Sequence, residues 1–577
     1  MPGPHALVGS VASPHCAFVD SVGSVWAGDL RPWIEWWIGA EDAWHVPSTS
    51  TTIRQRFVGN TPVVETSMHV PGGDIIHRVF GVPGLAVIEV ENQSAVPVAV
   101  AFAIRPYHGD RWAEFAQHEV SVVPEGAGAR VDTYGGVALR FEKAPSQVAL
   151  SNDVDVLHEV RAGNTVPFAG RPHTVGTRTG QPHGAVVFPL SHTAVVRAVA
   201  PLRFVPIAEI VPPSRRWRRP TSAASPAPDG GGESPAETGS ERLPWPAEVP
   251  AAEQVVKGWA THADRGTRIV LPAGRLADRL AQQTCGLLVA AGDGSGAPAR
   301  LADPSGGPEA CAVAPLVAGL SAMGFEPEAD ALVAALFAGP LDARALCAGA
   351  HQLWLRGEVA AIERHMETMA KRAHKLAKRA RRGDPASIDP WLAPALRAVA
   401  AALHAAGQPA AATLLSERLA GLPARPDPTS PLYTDVDSSP DGPEVVVNVR
   451  NLLVHEQWEP GDEQPGSTLV LLHDVPAIWL GQGIEVHDLP TGFGRISFGV
   501  RWHGERPALL WDLVPRNTLE VRLVAPGLDQ AWSTTEPRGE ALLAMPEHAD
   551  VVRTDVTVAG GGATGTVPPI DLTSGFS

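Results

Sequence analysis

The N-terminal part of the chain, residues 1–212, follows a strand-like pattern of hydrophobic and polar positions. Short runs such as Val63–Val70 and residues 96–104 are rich in β-branched residues or alternate with polar positions, and Gly, Pro, Asn and Asp separate them. A period of two residues turns one face of each strand toward a core, and many short strands with frequent turns are typical of sandwiches. We therefore expect residues 1–212 to form an antiparallel β-sandwich.

The pattern changes to a helical period in residues 251–425. Ala and Leu recur at intervals of three and four residues, with Gly or Pro between the runs. Such runs with short connections predict antiparallel helical hairpins. The expected helices span 251–263, 272–290, 309–323, 326–338, 342–356, 358–382, 389–406 and 408–421.

Strand-like patterns return within residues 426–558, after a polar connector. They begin with the run VVVNV at Val445 and continue through TLVLL, GIEVHDL, RISFGVRW, PALLWDL and TLEVRLV, which predicts a second antiparallel sandwich. Residues 213–250 are rich in Pro, Ser, Gly and Glu and lack apolar periodicity, so we expect a linker, and residues 559–577 are predicted to be a flexible tail. The predicted fold class is therefore multidomain α+β, in the order β-sandwich, helical domain, β-sandwich.

The charge and composition narrow the classes of function. The 577-residue chain has 46 Lys and Arg against 62 Asp and Glu, a net charge of −16, whereas a nucleic-acid partner needs a basic surface. We find no apolar run long enough to span a membrane and no secretory leader, so we expect a cytoplasmic protein without a membrane partner. The four cysteines form no CxxC pair and no His motif has metal-ligand spacing, so neither a metal nor a cofactor is expected.

Two basic clusters interrupt this acidic chain. Residues 215–219 hold four arginines, and residues 371–382 hold seven Lys and Arg at the end of a predicted amphipathic helix. In residues 371–382 the positive charge complements the dipole at the C-terminal end of the helix. Exposure to solvent is sufficient to explain both clusters. A protein partner that docks on either segment is the alternative.

Three long strings resemble parts of one enzyme family. They are LLHDVPAIWLGQGIEVHDLPTGFGRISFGVRWHGERPALLWDLV, NVRNLLVHE and ETSMHVPGGDIIHRVFGVPGLAVIEVENQSAVPVAVAFAIRP. They are similar, in that order, to the C-terminal module, the junction between helices and sheet, and the N-terminal sandwich of glucoamylase-type glycoside hydrolases, the six-hairpin (α/α)-toroid group. The resemblance implies a toroid-like helical domain, shorter here than a complete toroid, and a site for α-glucans or oligosaccharides.

Glycoside hydrolysis needs two carboxyl groups, one to protonate the leaving oxygen and one to activate water or attack the sugar. In the helical region such groups would stand on loops at one end of the bundle. The carboxylates at such positions are Asp293, Asp303, Glu309, Asp384 and Asp389, with Glu444 and Glu456 at the exit of the region. We take Asp293, Glu309 and Asp389 as catalytic candidates, although Asp293 also suits a plain turn and Asp389 an N-cap before Pro390.

Sugars stack on exposed aromatic faces, so tryptophans are the candidates for substrate binding. Trp36 and Trp37 lie in the most Trp-dense stretch, where alternation places them on opposite faces of a strand, and Trp354 and Trp391 lie in the helical region. Packing in a core or between domains is the alternative role for these rings.

Three functions stay open at this point. The first is a degenerate relative of the glycosidases, a pseudoenzyme that binds glycan or assembles with other proteins. The second is an active α-glucan or oligosaccharide hydrolase with paired carboxyls. The third is a structural scaffold without a sugar site. The short helical region and the absence of a catalytic motif favour the first.

Overall fold

A computed structural model describes most of the chain. The described residues are 6–27, 32–105, 107–108, 111–112, 119–133, 136–152, 154–176, 182–203, 205, 249–298, 313–340, 342–381, 388–422, 442–459, 466–473, 475–516 and 520–544. Nearly all of the predicted linker at 213–250, including the basic segment 215–219, lies outside the described residues, as does the whole predicted tail at 559–577.

Two large antiparallel sheets form the N-terminal region. The strands are β1 Ala6–Gly9, β2 Cys16–Val19, β3 Val25–Trp26, β4 Trp33–Gly39, β5 Trp44–His45, β6 Arg54–Phe57, β7 Val63–Val70, β8 Gly73–Val82, β9 Leu85–Asn92, β10 Val98–Arg105, β11 Tyr107–His108, β12 Arg111–Trp112, β13 Glu119–Glu125, β14 Gly128–Thr133, β15 Gly136–Phe141, β16 Gln147–Ser151, β17 Val166–Pro167, β18 His173–Gly176, β19 His183–Leu190 and β20 Val195–Pro201. One large sheet has the order β1-β2-β3-β4-β10-β19-β16-β17, with β5 beside β4, and the other the order β18-β13-β14-β15-β20-β9-β8-β7-β6. The short strands β11 and β12 pair with each other. The expected antiparallel sandwich is confirmed.

The sandwich core lies between these two sheets. Trp36 of the first sheet is 1% exposed and stacks on His77 of the second, with ring centroids 4.7 Å apart. Trp37 points to the opposite side of β4, where it packs with Val156 and Val160 of α1 (Val156–Arg161). Because strand alternation buries both faces of β4, neither tryptophan offers an open ring face.

The helical region agrees closely with the sequence pattern. Its elements are α2 Ala252–Ala263, β21 Arg268–Val270, α3 Arg275–Ala290, α4 Val313–Ala322, α5 Glu326–Ala338, α6 Ala343–Arg356, α7 Val359–Ala380, α8 Leu392–Ala405, α9 Pro409–Ala420 and α10 Pro443–Leu453. All eight predicted helices occur, with ends that differ by a few residues. Short β21 pairs with a C-terminal strand, Ile269 opposite Val486, so one strand of the C-terminal sheet comes from within the helical sequence.

The expected strand at Val445 is wrong, since these residues belong to α10. The β-branched run VVVNV suggested a strand, but Val445, Val449 and Leu452 recur at helical spacing and are all buried. Pro443 stands in the first turn of the helix, where its missing N–H has no helical partner to lose. Tertiary burial of this apolar stripe outweighs the weak strand preference of valine.

Two smaller sheets form the C-terminal region. Their strands are β22 Val454–Glu459, β23 Gly466–Leu471, β24 Ile484–Thr491, β25 Gly494–His503, β26 Arg506–Pro515, β27 Arg522–Ala525, β28 Asp529–Thr534 and β29 Arg538–Leu542. The orders are β21-β24-β25-β26-β29 and β22-β23-β27-β28. The pairing is antiparallel as expected, except that β23 and β27 run parallel.

The helices and the C-terminal sheets share one hydrophobic core. Leu316 and Leu346 of the helices belong to the same buried cluster as Leu489, Phe493 and Leu513 of the sheets. The ring of Phe493 meets Trp354 of α6 edge to face, with centroids 5.6 Å apart. The turn at 490–494 therefore supports the C-terminal end of α6, which carries part of the site described next.

Candidate functional site

A cleft of about 180 Å³ opens among the helices, and we call it the helical cleft. α4, α6, α8, α10 and the start of β22 form its walls. The polar and aromatic lining residues are Arg344, Cys347, His351, Trp354, Trp391, Arg397, Glu444, Asn448, Arg450, Asn451, His455 and Glu456. Much of the remaining wall is small and apolar, for example Ala314, Ala318 and Ala348, and these short side chains leave room between the helices.

Trp391 provides a half-buried ring at the start of α8. The guanidinium carbon of Arg344 lies 5.0 Å from the ring centroid, a distance at which a cation is attracted to an aromatic face. Asp389 holds the backbone before this helix, because its Oδ1 accepts the N–H of Trp391 at 2.9 Å. The cleft thus contains the aromatic ring of Trp391, a residue whose backbone is held by the carboxylate of Asp389.

Arg344 also ties two helices together across the cleft. Its Nη2 donates to Oε1 of Glu444 at 2.7 Å, and both side chains are about one-third exposed, 33% and 38%. Glu444 stands in the first turn of α10, where the helix dipole favours a negative charge. This ion pair connects α6 with α10.

Arg450 and Glu456 form a buried ion pair deep in the wall, with side chains 1% and 5% exposed. Arg450 donates to both carboxylate oxygens, to the carbonyl of Val454 and to the carbonyl of Pro490, the last two at 3.0 Å. Burial alone would raise the pKa of Glu456, but the charge and hydrogen bonds of Arg450 lower it to about 2. Glu456 is therefore ionised throughout the physiological pH range.

His351 projects from α6 into the same wall, and its ring meets that of Trp354 at 5.9 Å between centroids. Burial lowers the pKa of His351 to about 4, and the positive charge of Arg450 acts in the same direction. At neutral pH this imidazole is uncharged, so one ring nitrogen can donate a hydrogen bond and the other can accept one.

The structure brings together only some of the residues selected from the sequence. Trp354 and Trp391 both line the helical cleft, as do Glu444 and Glu456, which were noted at the exit of the helical region. Trp36 and Trp37 are buried on opposite faces of β4 in the N-terminal region instead, 1% and 0% exposed. Neither ring is open to a sugar.

The three catalytic candidates do not line the cleft among the described residues. Asp293 is exposed in the turn after α3, where its Oδ1 accepts the N–H of Ser295 at 3.0 Å. Hydrogen bonds from the side chain of Ser295, first, and from its backbone lower the pKa of Asp293. Asp389 is exposed and caps the chain before α8. Glu309, like Asp303 and Asp384, lies outside the described residues.

Sequence reasoning missed most of the polar lining. The string NVRNLLVHE contains Asn448, Arg450, Asn451, His455 and Glu456, and every one of them lines the cleft. The helical spacing of Glu444, Asn448 and Asn451, four and then three residues apart, would have placed them on one face. The strand assignment at Val445 hid this signal.

Comparisons with known proteins give only distant similarity. No family model matches the sequence, and no curated protein matches it. A solved glycosyl hydrolase of family 92, ccman5, is 10% identical with a TM-score of 0.33, and the match covers 75% of this chain and 60% of that one. A candidate kojibiose phosphorylase from the human microbiome is 6% identical with a TM-score of 0.41, covering 94% and 91%.

These two neighbours have glycoside hydrolase-type folds, and neither is described as a glucoamylase. The six-hairpin assignment therefore stays a prediction, and at these TM-scores neither similarity identifies a function. Among the described residues no helix is both long and apolar enough to cross a membrane.

Proposed function

We propose that the protein binds a carbohydrate in the helical cleft without hydrolysing it. The observation that carries this proposal is that the half-buried Trp391 and the amide side chains of Asn448 and Asn451 line one cleft. A sugar ring presents an apolar face and a rim of hydroxyls, and an aromatic surface with a few polar groups is suited to both. The neutral imidazole of His351 adds a further donor and acceptor.

The state of the two carboxylates favours binding over hydrolysis. A general acid must be protonated near neutral pH, whereas Arg450 keeps the pKa of Glu456 near 2. Glu444 is bound to Arg344. Its backbone lies at the opposite end of α10 from Glu456, and that helix of 11 residues is ~16 Å long at 1.5 Å per residue. The two carboxyl groups of an inverting glycosidase stand ~6.5–9.5 Å apart. Glu444 and Glu456 are each held by a different arginine, and these separate ion pairs work against such a spacing.

An active hydrolase is the second candidate, because both glutamates nevertheless line the same cleft. One incubation distinguishes the two functions. The purified chain is mixed with maltooligosaccharides, isomaltooligosaccharides or trehalose, and released glucose is measured. We expect none. Release that disappears in Glu444→Gln, a variant that leaves the buried pair of Arg450 and Glu456 intact, would establish hydrolysis and refute the binding-only proposal.

Binding itself is tested by titration calorimetry with the same sugars. We expect Trp391→Ala to weaken binding about tenfold, ~1.4 kcal/mol, through loss of the ring face. Trp532→Ala is the matched control, because Trp532 packs on Trp511 in the C-terminal region, 5.2 Å between centroids, and lies outside the cleft. If no sugar binds the wild-type chain, the carbohydrate proposal fails and a scaffold role is left.

A further inference from the structure

The C-terminal half of α7 presents a positively charged surface on an acidic chain. Residues 368–381 contain six Lys and Arg and no Asp or Glu, whereas the whole chain has a net charge of −16. Three of the five lysines of the chain, Lys371, Lys375 and Lys378, lie in this stretch. Together with Arg379 and Arg381 they are exposed on one side of the helix, and we call these five side chains the basic face of α7.

Most of the charge on the basic face has no partner within the described part of the chain. Lys371 pairs with Glu367, one turn earlier on α7, and both side chains are largely exposed. Arg372 lies beside the face and is used structurally, because it donates to three backbone carbonyls at the end of α5. The other four members of the basic face form no ion pair or side-chain hydrogen bond with any described residue.

The helix dipole does not account for this arrangement. The dipole favours positive charge only within the last turn of a helix, whereas Lys371 and Lys375 stand more than one turn before the last residue, Ala380. Lys371 and Lys375 are four residues apart, as are Lys375 and Arg379, a spacing at which like charges destabilise a helix. The basic face therefore carries a local repulsion that negative charge from outside the helix would relieve.

A neighbouring helix extends the positive surface. Arg418 of α9 donates a hydrogen bond to Nδ1 of His374, which lies between members of the basic face on the same side of α7. Glu417, the acid next to Arg418, is exposed and forms no ion pair with any described residue. α9 thus adds a cation to the surface without a carboxylate that neutralises α7.

The charge of the surrounding molecule favours a short acidic partner. Charges are screened over ~8 Å at physiological ionic strength, and the face spans only ~15 Å from Lys371 to Arg381 at 1.5 Å per residue. A long nucleic acid or a membrane would extend beyond it over the rest of an acidic chain. Insertion into a membrane would also need the apolar side of α7, and Ile362, Met369 and Ala373 are buried in the core.

We propose that the basic face of α7 is a docking surface for an acidic segment of a partner protein, a peptide rich in Asp and Glu. An extended segment with an acid at every second residue places its carboxylates ~6.6 Å apart. This spacing is close to the ~6 Å rise between helix positions four residues apart, so several carboxylates can meet lysines and arginines at once. The inference does not depend on sugar binding in the helical cleft.

The test is fluorescence anisotropy of a labelled decaglutamate peptide with the full chain. We expect saturable binding that weakens severalfold between about 50 and 150 mM salt, since screening reduces the attraction of exposed charges. The double variant Lys375→Gln with Lys378→Gln should lower the affinity about fivefold, as expected for the loss of two exposed ion pairs.

Lys143→Gln with Lys257→Gln is the matched control, because it removes the two remaining lysines of the chain, both exposed and outside α7. It makes the same change in net charge and should leave peptide binding unchanged. Both double variants should unfold at no lower urea concentration than the wild type and should keep sugar binding in the helical cleft, so a loss of peptide binding is not a loss of the fold.

Three results would overturn the proposal. The absence of peptide binding at low ionic strength would leave the basic face as a solvated surface. An equal loss of affinity in the two double variants would show that the peptide responds to net charge and not to α7. A ten-nucleotide single-stranded RNA, or vesicles of phosphatidylserine and phosphatidylcholine, that bind more tightly than the peptide and lose affinity in Lys375→Gln with Lys378→Gln would replace the acidic protein segment as the partner.

Discussion

Arg516 at the end of β26 holds the C-terminal turn of α6, which carries Trp354 of the helical cleft. Its Nη1 donates to the carbonyl of Trp354 at 2.9 Å and its Nη2 to the carbonyl of Leu355. The last carbonyls of a helix have no partner within the helix, and a cation beside them also complements the helix dipole. A residue 162 positions away in sequence therefore fixes one wall of the cleft.

The first prediction concerns this clamp. Arg516→Gln should lower the free energy of unfolding by about 2–3 kcal/mol, because hydrogen bonds from a charged donor are lost at a helix end. It should also weaken ligand binding in the helical cleft, since the turn that carries Trp354 loses its support. Urea unfolding and calorimetry with the sugar found to bind are the measurements.

Arg506→Gln is the matched control for Arg516→Gln. Arg506 lies at the other end of β26 and donates to the carbonyls of Leu543 and Leu542 at 2.9 and 3.1 Å, away from α6. It should cost some stability without changing ligand binding. Equal effects of the two variants on binding would contradict a positioning role for Arg516.

The second prediction concerns Gly492 in the turn beside Trp354. An added Cβ at this position would lie 2.1 Å from the indole ring. Either the ring or the turn would therefore have to shift. We expect Gly492→Ala to destabilise the fold by about 1–3 kcal/mol, as overpacked cores do, and to change the fluorescence of Trp354.

Gly499→Ala serves as the control for Gly492→Ala. It lies on β25 of the same sheet, where an added Cβ would meet its nearest atom at 3.7 Å, an ordinary contact. This substitution should be neutral or slightly stabilising. A Gly492→Ala protein as stable as the Gly499→Ala protein would mean that the contact with Trp354 is looser than the structure indicates.

Local pattern predicted the order of elements well but only part of the site. The buried stripe that includes Met369 and Ala373 on α7 is visible in the sequence because helical amphipathicity depends on near neighbours. Arg344 and Arg397 sit in Ala-rich helices as ordinary surface arginines would. Only the packing of α6 and α8 turns them toward a shared cleft, and no local pattern records that packing.

The carboxylates illustrate the same limit. Asp293 and Asp389 are catalytic candidates because they stand on loops. Each instead accepts a hydrogen bond from the backbone N–H two residues later, a local contact that is common for aspartate in loops. Glu456 lies in the site because it pairs with Arg450, six residues earlier in the sequence, across the C-terminal end of α10. The valine run suggested a strand there and so concealed the end of this helix. Predicting that end required the tertiary burial of α10.

The third prediction concerns the buried pair of Arg450 and Glu456. Glu456→Gln should destabilise the fold by about 3–5 kcal/mol, because Arg450 stays buried without its counter-ion. The double variant Arg450→Met with Glu456→Met should lose much less, since no buried charge is left. Urea unfolding of the three proteins at pH 7 checks this order, and a double variant as unstable as Glu456→Gln would contradict it.

The same pair predicts a dependence of stability on pH. The pKa of Glu456 is lowered from 4.5 to about 2 in the folded state, so the unfolded chain binds the proton more readily. The stabilisation, about 3 kcal/mol at full size, is complete above the unfolded pKa and disappears as the pH falls from 4.5 to about 2. The double variant should lack this part of the acid sensitivity.

The last prediction concerns His351, whose titration falls in a separate pH window. Burial lowers its pKa from 6.5 to about 4, so its contribution to stability is present above pH 6.5 and is lost as the pH falls toward 4. A ring-proton NMR titration should give one histidine signal with a midpoint near pH 4 that is missing in His351→Gln and kept in His487→Gln, a change at an exposed histidine of β24. His351→Gln should also unfold with a smaller loss of stability between pH 7 and pH 5 than the wild type. A His351 signal with a midpoint near 6.5 would contradict both its burial and its assignment as the neutral hydrogen-bonding group of the cleft.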